Sequence, residues 1–341
     1  MMLMEKNMVP PLTKDDFRLV GCEVEDYTDE NFSGHSYAKE VILTLFARKS
    51  TIVSLIVILL IVAMAIFAPI FSPYTYKEVN AKATNLPMRI PGIEKLGIFD
   101  GTYNGINQYE RKGVPDEYHY FGTDNLGRDI WTRVWMGTRI SLLIAVLAVL
   151  LDGAVGVTYG MIAGFSGGKV DFAMQRFVEI LTGIPNLIIM MLLLLVMKPG
   201  IPTICIALAI TGWVSMSRIV RAQVLRLKSN EYVLASKTLG TPFHRILIKD
   251  ILPNTMGQII ITFMFSIPNA IFFEAFLAFI GLGVPIPMAS LGTLINDGYK
   301  SALLYPSQVL LPAIVLSVLM LSFNLLGDGL RDAIDPQMRN A

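Results

Sequence analysis

Residues 51–71 read TIVSLIVILLIVAMAIFAPIF, a run without a single charged side chain. An α-helix of about 20 apolar residues is long enough to cross the hydrocarbon core of a bilayer. The whole chain of 341 residues is 53% hydrophobic and only 16% charged, whereas soluble domains carry roughly 25% charged residues. The sequence therefore predicts an integral membrane protein.

Five further apolar segments are long enough to be transmembrane helices, so the chain is predicted to have six. They are residues 140–163, 177–197, 201–217, 258–281 and 309–327. The first apolar run begins only at residue 51, so we expect a permanent anchor and not a cleaved signal peptide. The predicted fold class is an all-α polytopic membrane protein.

The distribution of Lys and Arg predicts the orientation of these helices. With the N-terminus in the cytoplasm, most basic residues near the spans lie on the inner side, with the largest group in the loop 218–257. The short outer loops then contain only Lys198 and Lys300. Because cytoplasmic loops carry an excess of Lys and Arg, both termini are predicted to be cytoplasmic.

The remaining segments divide the chain into five predicted regions. In residues 35–50, Val41, Ile42, Leu45 and Phe46 share one helical face, a pattern typical of a helix lying on the inner leaflet. Proline and glycine in the outer segment favour irregular or short-stranded structure. The regions are a polar cytoplasmic tail (1–35), the interfacial helix and anchor span (36–71), an extracellular loop (72–139), a five-span core (140–330) and a cytoplasmic tail (331–341).

Small residues mark one face of the second span. Gly156, Gly160 and Gly164 are spaced four apart, so they allow close approach of a neighbouring helix. That neighbour could belong to this chain or to a second membrane subunit, and the sequence leaves both open.

Ionisable residues within spans are costly and usually functional. Asp152 and Glu274 are predicted either to make packing hydrogen bonds or to line a wet cavity. Residues 183–186 (GIPN) and 268–269 (PN) interrupt their helices, either as tolerated kinks or because the backbone borders a pathway.

The loop between the fourth and fifth spans is longer than a connection needs. We expect the fourth helix to continue through Arg221, Arg226 and Lys237 and to end at Gly240. Thr241 and Pro242 should begin a second short helix, 241–248, which would close at Pro253–Asn254 before span five. The loop is either an ordinary positive-inside loop or a docking element for a groove on another protein.

Several classes of function are disfavoured by the sequence. It contains no G-x-x-x-x-G-K-[ST] phosphate loop and no H-E-x-x-H motif, and its three histidines lie far apart. A G-x-S-x-G match at 164–168 follows a membrane span and not a strand, so it is interpreted as a loop. A net charge of +1 gives no reason to expect a nucleic-acid partner. No metal site is predicted.

Four motifs resemble those of one protein family. Residues 235–240 (ASKTLG) followed by 252–254 (LPN) are similar to the EAA loop of ABC importer permeases. Residues 121–129 (FGTDNLGRD), 272–283 (FFEAFLAFIGLG) and 327–336 (GDGLRDAIDP) resemble segments of the peptide/nickel permease family. The chain is identified as a member of that family, most similar to the C-type permease subunits of bacterial oligopeptide importers.

The resemblance implies a type I ABC importer permease fold and a role in a heteromeric complex of the bacterial cell membrane. This chain would pair with a B-type permease to enclose the pathway for oligopeptides. Two ABC ATPase subunits would bind ATP and Mg, so this chain would need no cofactor and would be no enzyme. An extracellular peptide-binding lipoprotein would deliver the peptide.

The resemblance also implies roles for individual residues. Contacts with the ATPase are expected at Glu231, Ala235, Ser236, Gly240, Thr241, Pro242, Phe243, His244, Arg245 and Ile246, with a second, weaker contact at Gly168, Lys169 and Asp171. The residues expected to line the pathway or form a gate are Pro185, Asn186, Pro268, Asn269, Phe273 and Glu274. The family has an acidic residue six positions before the loop glycine, where this chain has Leu234; Glu231, one turn earlier, is its candidate substitute.

Three alternatives remain open on the sequence. A membrane-embedded hydrolase would use Ser166 or Glu274 and would be active without partners. A free-standing proton-coupled carrier would depend on Glu274 and be indifferent to ATP. Within the importer family, the substrate could be a dipeptide or nickel instead of an oligopeptide.

Overall fold

The computed structural model describes residues 37–198 and 200–334, with side chains from residue 41 onward. The predicted tails, 1–35 and most of 331–341, therefore lie outside the described residues. The helices are α1 (Tyr37–Ala47), α2 (Lys49–Phe71), α3 (Gln108–Arg111), α4 (Ile130–Ser166), α5 (Gly168–Thr182), α6 (Asn186–Val196), α7 (Ile201–Leu227), α8 (Glu231–Thr238), α9 (Phe243–Ile246), α10 (Leu252–Leu277), α11 (Leu291–Tyr299) and α12 (Ser307–Ile334). Two-residue strands β1 (Thr102–Tyr103) and β2 (Ile106–Asn107) pair antiparallel.

Among the residues that the structure describes, five continuous helices are long and apolar enough to cross a membrane: α2, α4, α7, the helix Phe243–Leu282 and α12. The predicted third span is instead a pair, α5 and α6, bent by 77°. The bend coincides with Gly183 and Pro185, where the sequence predicted a break. Pro185 has no N–H to donate, and α6 begins immediately after it at Asn186.

The glycine face of α4 packs within this chain. A Cβ added at Gly156, Gly160 or Gly164 would come within 2.6, 2.5 and 2.9 Å of the carbonyl oxygens of Trp213, Ser217 and Arg221 respectively. Larger side chains would therefore push the α4 and α7 backbones apart. Of the two roles left open by the sequence, internal packing is the one observed.

The register of this contact also fixes the direction of the two helices. The residue numbers on α4 and α7 rise together by four, so the helices run parallel. Parallel neighbours require the chain between them to return across the membrane. The bent α5–α6 pair is that return, which completes six crossings and confirms the predicted number of spans.

Both ends of the described helical bundle lie on one face. The Arg48 guanidinium, at the start of α2, makes an ion pair with Asp332 near the end of α12. An even number of crossings predicts this arrangement. In α1, Ile42 and Phe46 are exposed (53% and 49%), so an apolar surface is free for the predicted contact with the inner leaflet.

The loop after α7 differs from its prediction. The fourth helix does not continue to Gly240: α7 ends at Leu227, a turn follows, and α8 starts at Glu231 with Asn230 as its N-cap. The short helix α9 does not end before span five either, because it continues through a π-helical segment (Leu247–Ile251) into α10. Pro253 lies in the first turn of α10, where its missing N–H costs nothing.

The segment between α2 and α4 is irregular, as predicted, over residues 72–129. Its apolar centre is formed by Ala83, Leu86, Tyr109 and Val114. The Tyr109 hydroxyl donates to Pro87 O (2.8 Å), and burial raises the pKa of this phenol. The prediction was wrong for 130–139, which form the first turns of α4.

A short helix between the fifth and sixth spans was not predicted. In α11, Ser290 and Thr293 form a reciprocal capping box at the N-terminus. Serine followed by threonine three residues later was the available signal, but nine residues are too few for a periodic pattern to stand out.

Candidate functional site

The first candidate site is the segment 231–246, which contains α8, Gly240 and α9 and is called the α8–α9 surface below. Its inner side is anchored in an apolar cluster formed by Val233, Ile246, Leu247 and Ile251, all 5% exposed or less. Ile246 therefore faces the interior, and the expectation that it contacts an ATPase is corrected.

The outer side of the α8–α9 surface exposes large apolar side chains. Leu239 is 85% exposed, Leu234 47% and Phe243 42%. Of the other residues expected at this contact, the exposed ones are Glu231, Ala235, Gly240, Pro242, His244 and Arg245, and the half-buried ones are Ser236 and Thr241. Exposed apolar side chains beside cationic ones are typical of a surface that binds another protein.

Gly240 makes the turn between the two helices. Its φ is +75°, and a Cβ added there would meet no atom within 4 Å. The position therefore needs glycine for its left-handed backbone conformation and not for lack of space. Leu239 lies just before this turn and Phe243 begins α9 just after it, and these two exposed side chains with the turn between them are called the Leu239–Phe243 corner below.

Contacts with the end of α4 hold the α8–α9 surface in place. The Phe165 ring packs edge-on against Phe243 with centroids 5.0 Å apart, and Lys237 Nζ lies 4.6 Å from the centroid of the same Phe165 ring. Lys228 Nζ also donates to Gly164 O (2.9 Å). A force applied to Phe243 is therefore transmitted to α4 as well as to α10.

The expected second contact lies at the turn between α4 and α5. Gly168 and Lys169 are exposed. Asp171 instead accepts two hydrogen bonds from Arg221 (Nε–Oδ1 2.6 Å, Nη2–Oδ2 2.7 Å). This bidentate pair ties α5 to α7, so its carboxylate is occupied within the chain.

Glu231 and Leu234 both lie on the exposed side of α8. Glu231 is in the first turn of α8 and makes no ion pair with any side chain that the structure describes. A carboxylate is thus available one turn before the position that Leu234 occupies.

The second candidate site is a cavity of about 610 Å³ between α7, α10 and α12. Its wall contains neutral polar side chains along these apolar helices, and Arg331 near the end of α12 lines it as well. The neutral ones are Ser215, Gln258, Thr262, Ser266, Asn269 and Asn324. Because polar groups in contact with lipid tails are unfavourable, we expect this side of the bundle to face water or another protein.

A smaller cavity of about 80 Å³, called the inner pocket below, adjoins the first, since Ser215, Ser266 and Asn269 line both. It is formed by α4, α6, α7 and α10 and brings together three of the residues predicted to line a pathway: Asn186, Asn269 and Phe273. Pro268 lines the larger cavity, and Pro185 is exposed at the bend. Asp152 lines the inner pocket as well.

Glu274 lies elsewhere, in the interior. It is 1% exposed and lines neither of these cavities. Ser141 Oγ donates to Glu274 Oε2 (2.8 Å) and accepts from the backbone N–H of Leu291 (3.2 Å). The carboxylate therefore joins α4, α10 and α11, so in this conformation it has the packing role and the pathway prediction for it is corrected.

The family motif at residues 121–129 forms the connection between the outer segment and α4. Thr123 Oγ1 accepts from Leu86 N (2.8 Å) and donates to Ala83 O, and Asp124 accepts from Arg128 Nε (2.6 Å). Asp129 caps α4 by accepting from Thr132 N (2.8 Å) and also binds His119 Nδ1 (2.8 Å). Every polar side chain named here is used within the chain.

No group of three His, Cys, Asp or Glu side chains with the spacing of a metal site occurs within 37–198 and 200–334. The motif at 164–168 lies at the end of α4 and the start of α5. It therefore lacks the strand that a nucleophile elbow requires.

Two protein-family models match the chain. The model described as "Binding-protein-dependent transport system inner membrane component" matches residues 156–340, and "N-terminal TM domain of oligopeptide transport permease C" matches residues 36–87.

Curated relatives match over most of the chain. The oligopeptide transport system permease protein OppC of Bacillus subtilis (strain 168) is 45% identical over 88% of this chain and 90% of its own length. The dipeptide transport system permease protein DppC of the same organism is 48% identical over 72% of this chain and 77% of its own. OppC of Escherichia coli (strain K12) is 36% identical, covering 92% and 97%.

A solved structure shares the fold. A chain of the MetNI methionine ABC transporter, in an inward-facing conformation, superposes with a TM-score of 0.50 over 60% of this chain and 96% of its own, at 16% identity. At that identity the likeness concerns the fold alone.

Proposed function

The chain belongs to the family of binding-protein-dependent transport system inner membrane components, and we propose that it is the permease subunit of an ATP-driven importer of oligopeptides. The family membership rests on the match over residues 156–340 and on the identity to peptide permeases. Like those relatives, it is a multi-pass transport subunit.

The α8–α9 surface is the observation that supports an ATPase partner. The chain contains no phosphate loop, so the energy for transport must come from another subunit. Leu239 and Phe243 form an exposed apolar corner on a support that continues directly into α10. Two ABC ATPase subunits, which bind ATP and Mg, would dock on this surface and on the α4–α5 turn at Gly168 and Lys169.

The wall of polar side chains supports a second membrane subunit. The cavity between α7, α10 and α12 is half of a pathway, and a B-type permease would supply the other half. Obligate partners of this kind bury surfaces that would be unfavourable in lipid. The basic residues around 218–257 support a cytoplasmic location for the α8–α9 surface and for both termini, and a lipoprotein on the outer side would deliver the peptide.

The arrangement supports transport by alternating access. Closure of the ATPases would pull the α8–α9 surface, and with it α10 and α4, because Phe243 contacts Phe165 and the helix Phe243–Leu282 is continuous. The cavity would then change from inward-open to outward-open. Nucleotide and loaded binding protein would each bias this two-state equilibrium.

A dipeptide importer is the second candidate, because the dipeptide permease of Bacillus subtilis is 48% identical. The match over 36–87 to the N-terminal domain of oligopeptide permease C favours the longer substrate.

The test is Gly240→Leu in the reconstituted complex. Leucine at a φ of +75° should displace the corner formed by Leu239 and Phe243. We expect peptide uptake and peptide-stimulated ATPase activity to fall at least tenfold.

Gly105→Leu is the matched control. Gly105 also has a positive φ (+77°) and no atom within 4 Å of an added Cβ, but it lies in the outer segment. The control should retain activity within about twofold, since most substitutions at exposed positions have small effects. If the Gly240→Leu complex transports and hydrolyses ATP like the wild type, the α8–α9 surface has no coupling role.

A further inference from the structure

Asp152 is a buried acid without a partner of its own. It is 8% exposed, and no donor from the described residues reaches its Oδ1 atom. Asp171 is paired with Arg221 and Asp124 with Arg128, and Glu274 accepts from Ser141 at one of its two oxygens. Glu274 Oε1 and Asp250 Oδ2 are, like Asp152 Oδ1, buried without a hydrogen-bond partner among the described residues, but of these three carboxylates only Asp152 lines the inner pocket. Asp152 makes no ion pair within the described part of the chain.

The contact between α4 and α7 leaves space for the Asp152 carboxylate. One turn before Gly156, the small residue of the contact lies on α7 and not on α4. A Cβ at Gly212 would overlap Asp152 Oδ2. Glycine at 212 therefore lets the carboxylate lie against the α7 backbone, and the cost of burying it is several kcal/mol unless something pairs with it.

The surroundings of Asp152 favour a positively charged ligand. The other polar side chains of the inner pocket are neutral: Asn186, Thr211, Ser215, Ser266 and Asn269. Thr211 Oγ1 is also buried and without a hydrogen-bond partner among the described residues. A carboxylate, a hydroxyl and amide oxygens can together accept all three hydrogen bonds of a primary ammonium group.

The size of the inner pocket limits what can enter it. A volume of about 80 Å³ accommodates an ammonium group with one or two adjoining atoms, since a water molecule takes about 30 Å³. A whole amino-acid residue would have to remain in the adjoining cavity of about 610 Å³.

We propose that Asp152, with Thr211 beside it, binds the N-terminal ammonium group of the peptide as the peptide passes through the cavity. This inference rests on the proposed function, because it assumes that the cavity is the peptide pathway. The site uses the one group that every unmodified peptide carries, so it recognises peptides without selecting side chains. A lysine side chain would present the same chemistry, and the experiment separates the two.

The test is protection of Asp152 from a hydrophobic carbodiimide in the detergent-purified complex, followed by mass spectrometry of the protein fragment that contains Asp152. Labelling is the sum of the N-acylurea adduct and any amide formed between the activated carboxyl and an added amine, so that only a carboxyl that has not reacted counts as protected. Triglycine, with its free amino group, should reduce labelling of Asp152 at least threefold, whereas N-acetyltriglycine should not. Nα-acetyl-lysine amide has a blocked α-amino group and a free side-chain ammonium. If it protects Asp152 as well as triglycine does, the site is not specific for the N-terminus and the proposal is wrong. Glu274 lines neither cavity, so its labelling should not respond to any of the three.

Transport distinguishes this proposal from the proposed function. Asp152→Asn should lower triglycine uptake about tenfold while the complex assembles normally, and Thr211→Val should lower it less. If the wild-type complex imports peptide but triglycine leaves Asp152 labelling unchanged, the ammonium site is wrong and the importer stands. If the wild-type complex imports no peptide, the proposed function itself fails.

Discussion

The turn at 121–129 and the α8–α9 surface are both glycine-containing connections that carry motifs of the permease family, but their side chains are used in opposite ways. At the outer turn, Thr123 and Asp129 are 0% and 3% exposed and hydrogen-bonded within the chain. At the α8–α9 surface, Leu239 is 85% exposed.

Gly127 in the outer turn and Gly240 in the α8–α9 surface differ in the space around them. Gly127 has a φ of +72°, and a Cβ there would overlap the carbonyl oxygen of Asn80; Gly240 has a similar φ and open space around it. The outer turn therefore stabilises the fold, whereas the exposed side chains of the α8–α9 surface are expected to be buried only when a partner binds. Motifs of one family can thus stabilise the fold in one region and bind a partner in another. Whether the motif residues are buried or exposed distinguishes the two roles.

The largest effect is expected at Gly127. Gly127→Ala combines the left-handed strain with a backbone overlap, so we expect a loss of more than about 3 kcal/mol of stability. Gly97→Ala is its control, because Gly97 has the same φ of +72° but no atom within 4 Å of an added Cβ, and it should lose about 1 kcal/mol. Thermal unfolding in detergent measures both, and equal losses would show that the overlap does not matter.

The side chain of Asp129 provides a second test of whether the outer turn stabilises the fold. Asp129→Ala removes the N-cap of α4 and leaves His119 without its Asp129 partner, which should cost about 2 kcal/mol. Asp129→Asn keeps an acceptor for Thr132 N and should lose less than half as much. Thermal unfolding again provides the measurement, and an alanine variant as stable as the wild type would contradict the role of the cap.

The α8–α9 surface should show the opposite behaviour. Leu239→Asp leaves the folded chain as stable as the wild type, because the side chain is largely exposed, but should reduce co-purification of the ATPase subunits at least tenfold. Leu96→Asp, at an outer position that is 75% exposed, is the control and should retain the full complex. A large drop in the melting temperature of the isolated Leu239→Asp chain would mean that Leu239 is part of the fold.

The smallest effect is expected at Asp171. Asp171→Asn weakens the bidentate pair with Arg221 and loosens the α4–α5 turn, so peptide-stimulated ATPase activity should fall about twofold, equivalent to less than about 1 kcal/mol. Glu179→Gln breaks an exposed pair with Arg176 on the same helix and should change nothing. Equal activities of the two variants would remove Asp171 from the coupling path.

The sequence predicted the spans because an apolar stretch of about 20 residues has few alternatives to a transmembrane helix. It also predicted the break at residues 183–186, where the α5–α6 pair bends. Asn186, Asn269 and Phe273 were expected to line a pathway, and the structure brings all three to the inner pocket. It did not predict that α7 ends at Leu227, because Arg226, Lys228 and Ser229 do not break a helix strongly. The burial of Ile246 was missed for a different reason: which side of the short helix α9 faces the interior depends on contacts with distant residues such as Val233. For Glu274 the sequence left a packing role and a pathway role open, and only the contact with Ser141 decides between them.

The sequence also could not identify α7 as the helix that packs on the glycines of α4. Gly156, Gly160 and Gly164 predict close approach of a helix, but their spacing does not say which helix. Likewise, Asp152 was visible as a charge in an apolar run, whereas its lack of a partner and the space left by Gly212 became visible only in three dimensions.

We expect an ATPase subunit to cover the exposed side chain of Leu239 in the assembled importer. The most direct measurement is maleimide labelling of Leu239→Cys in a chain whose Cys22 and Cys205 have been replaced, with Leu96→Cys as the reference. Adding the ATPase subunits should lower the labelling rate at position 239 at least tenfold and leave the rate at position 96 unchanged. An unchanged rate at position 239 in a complex that imports peptide would show that the ATPase subunits do not dock at Leu239.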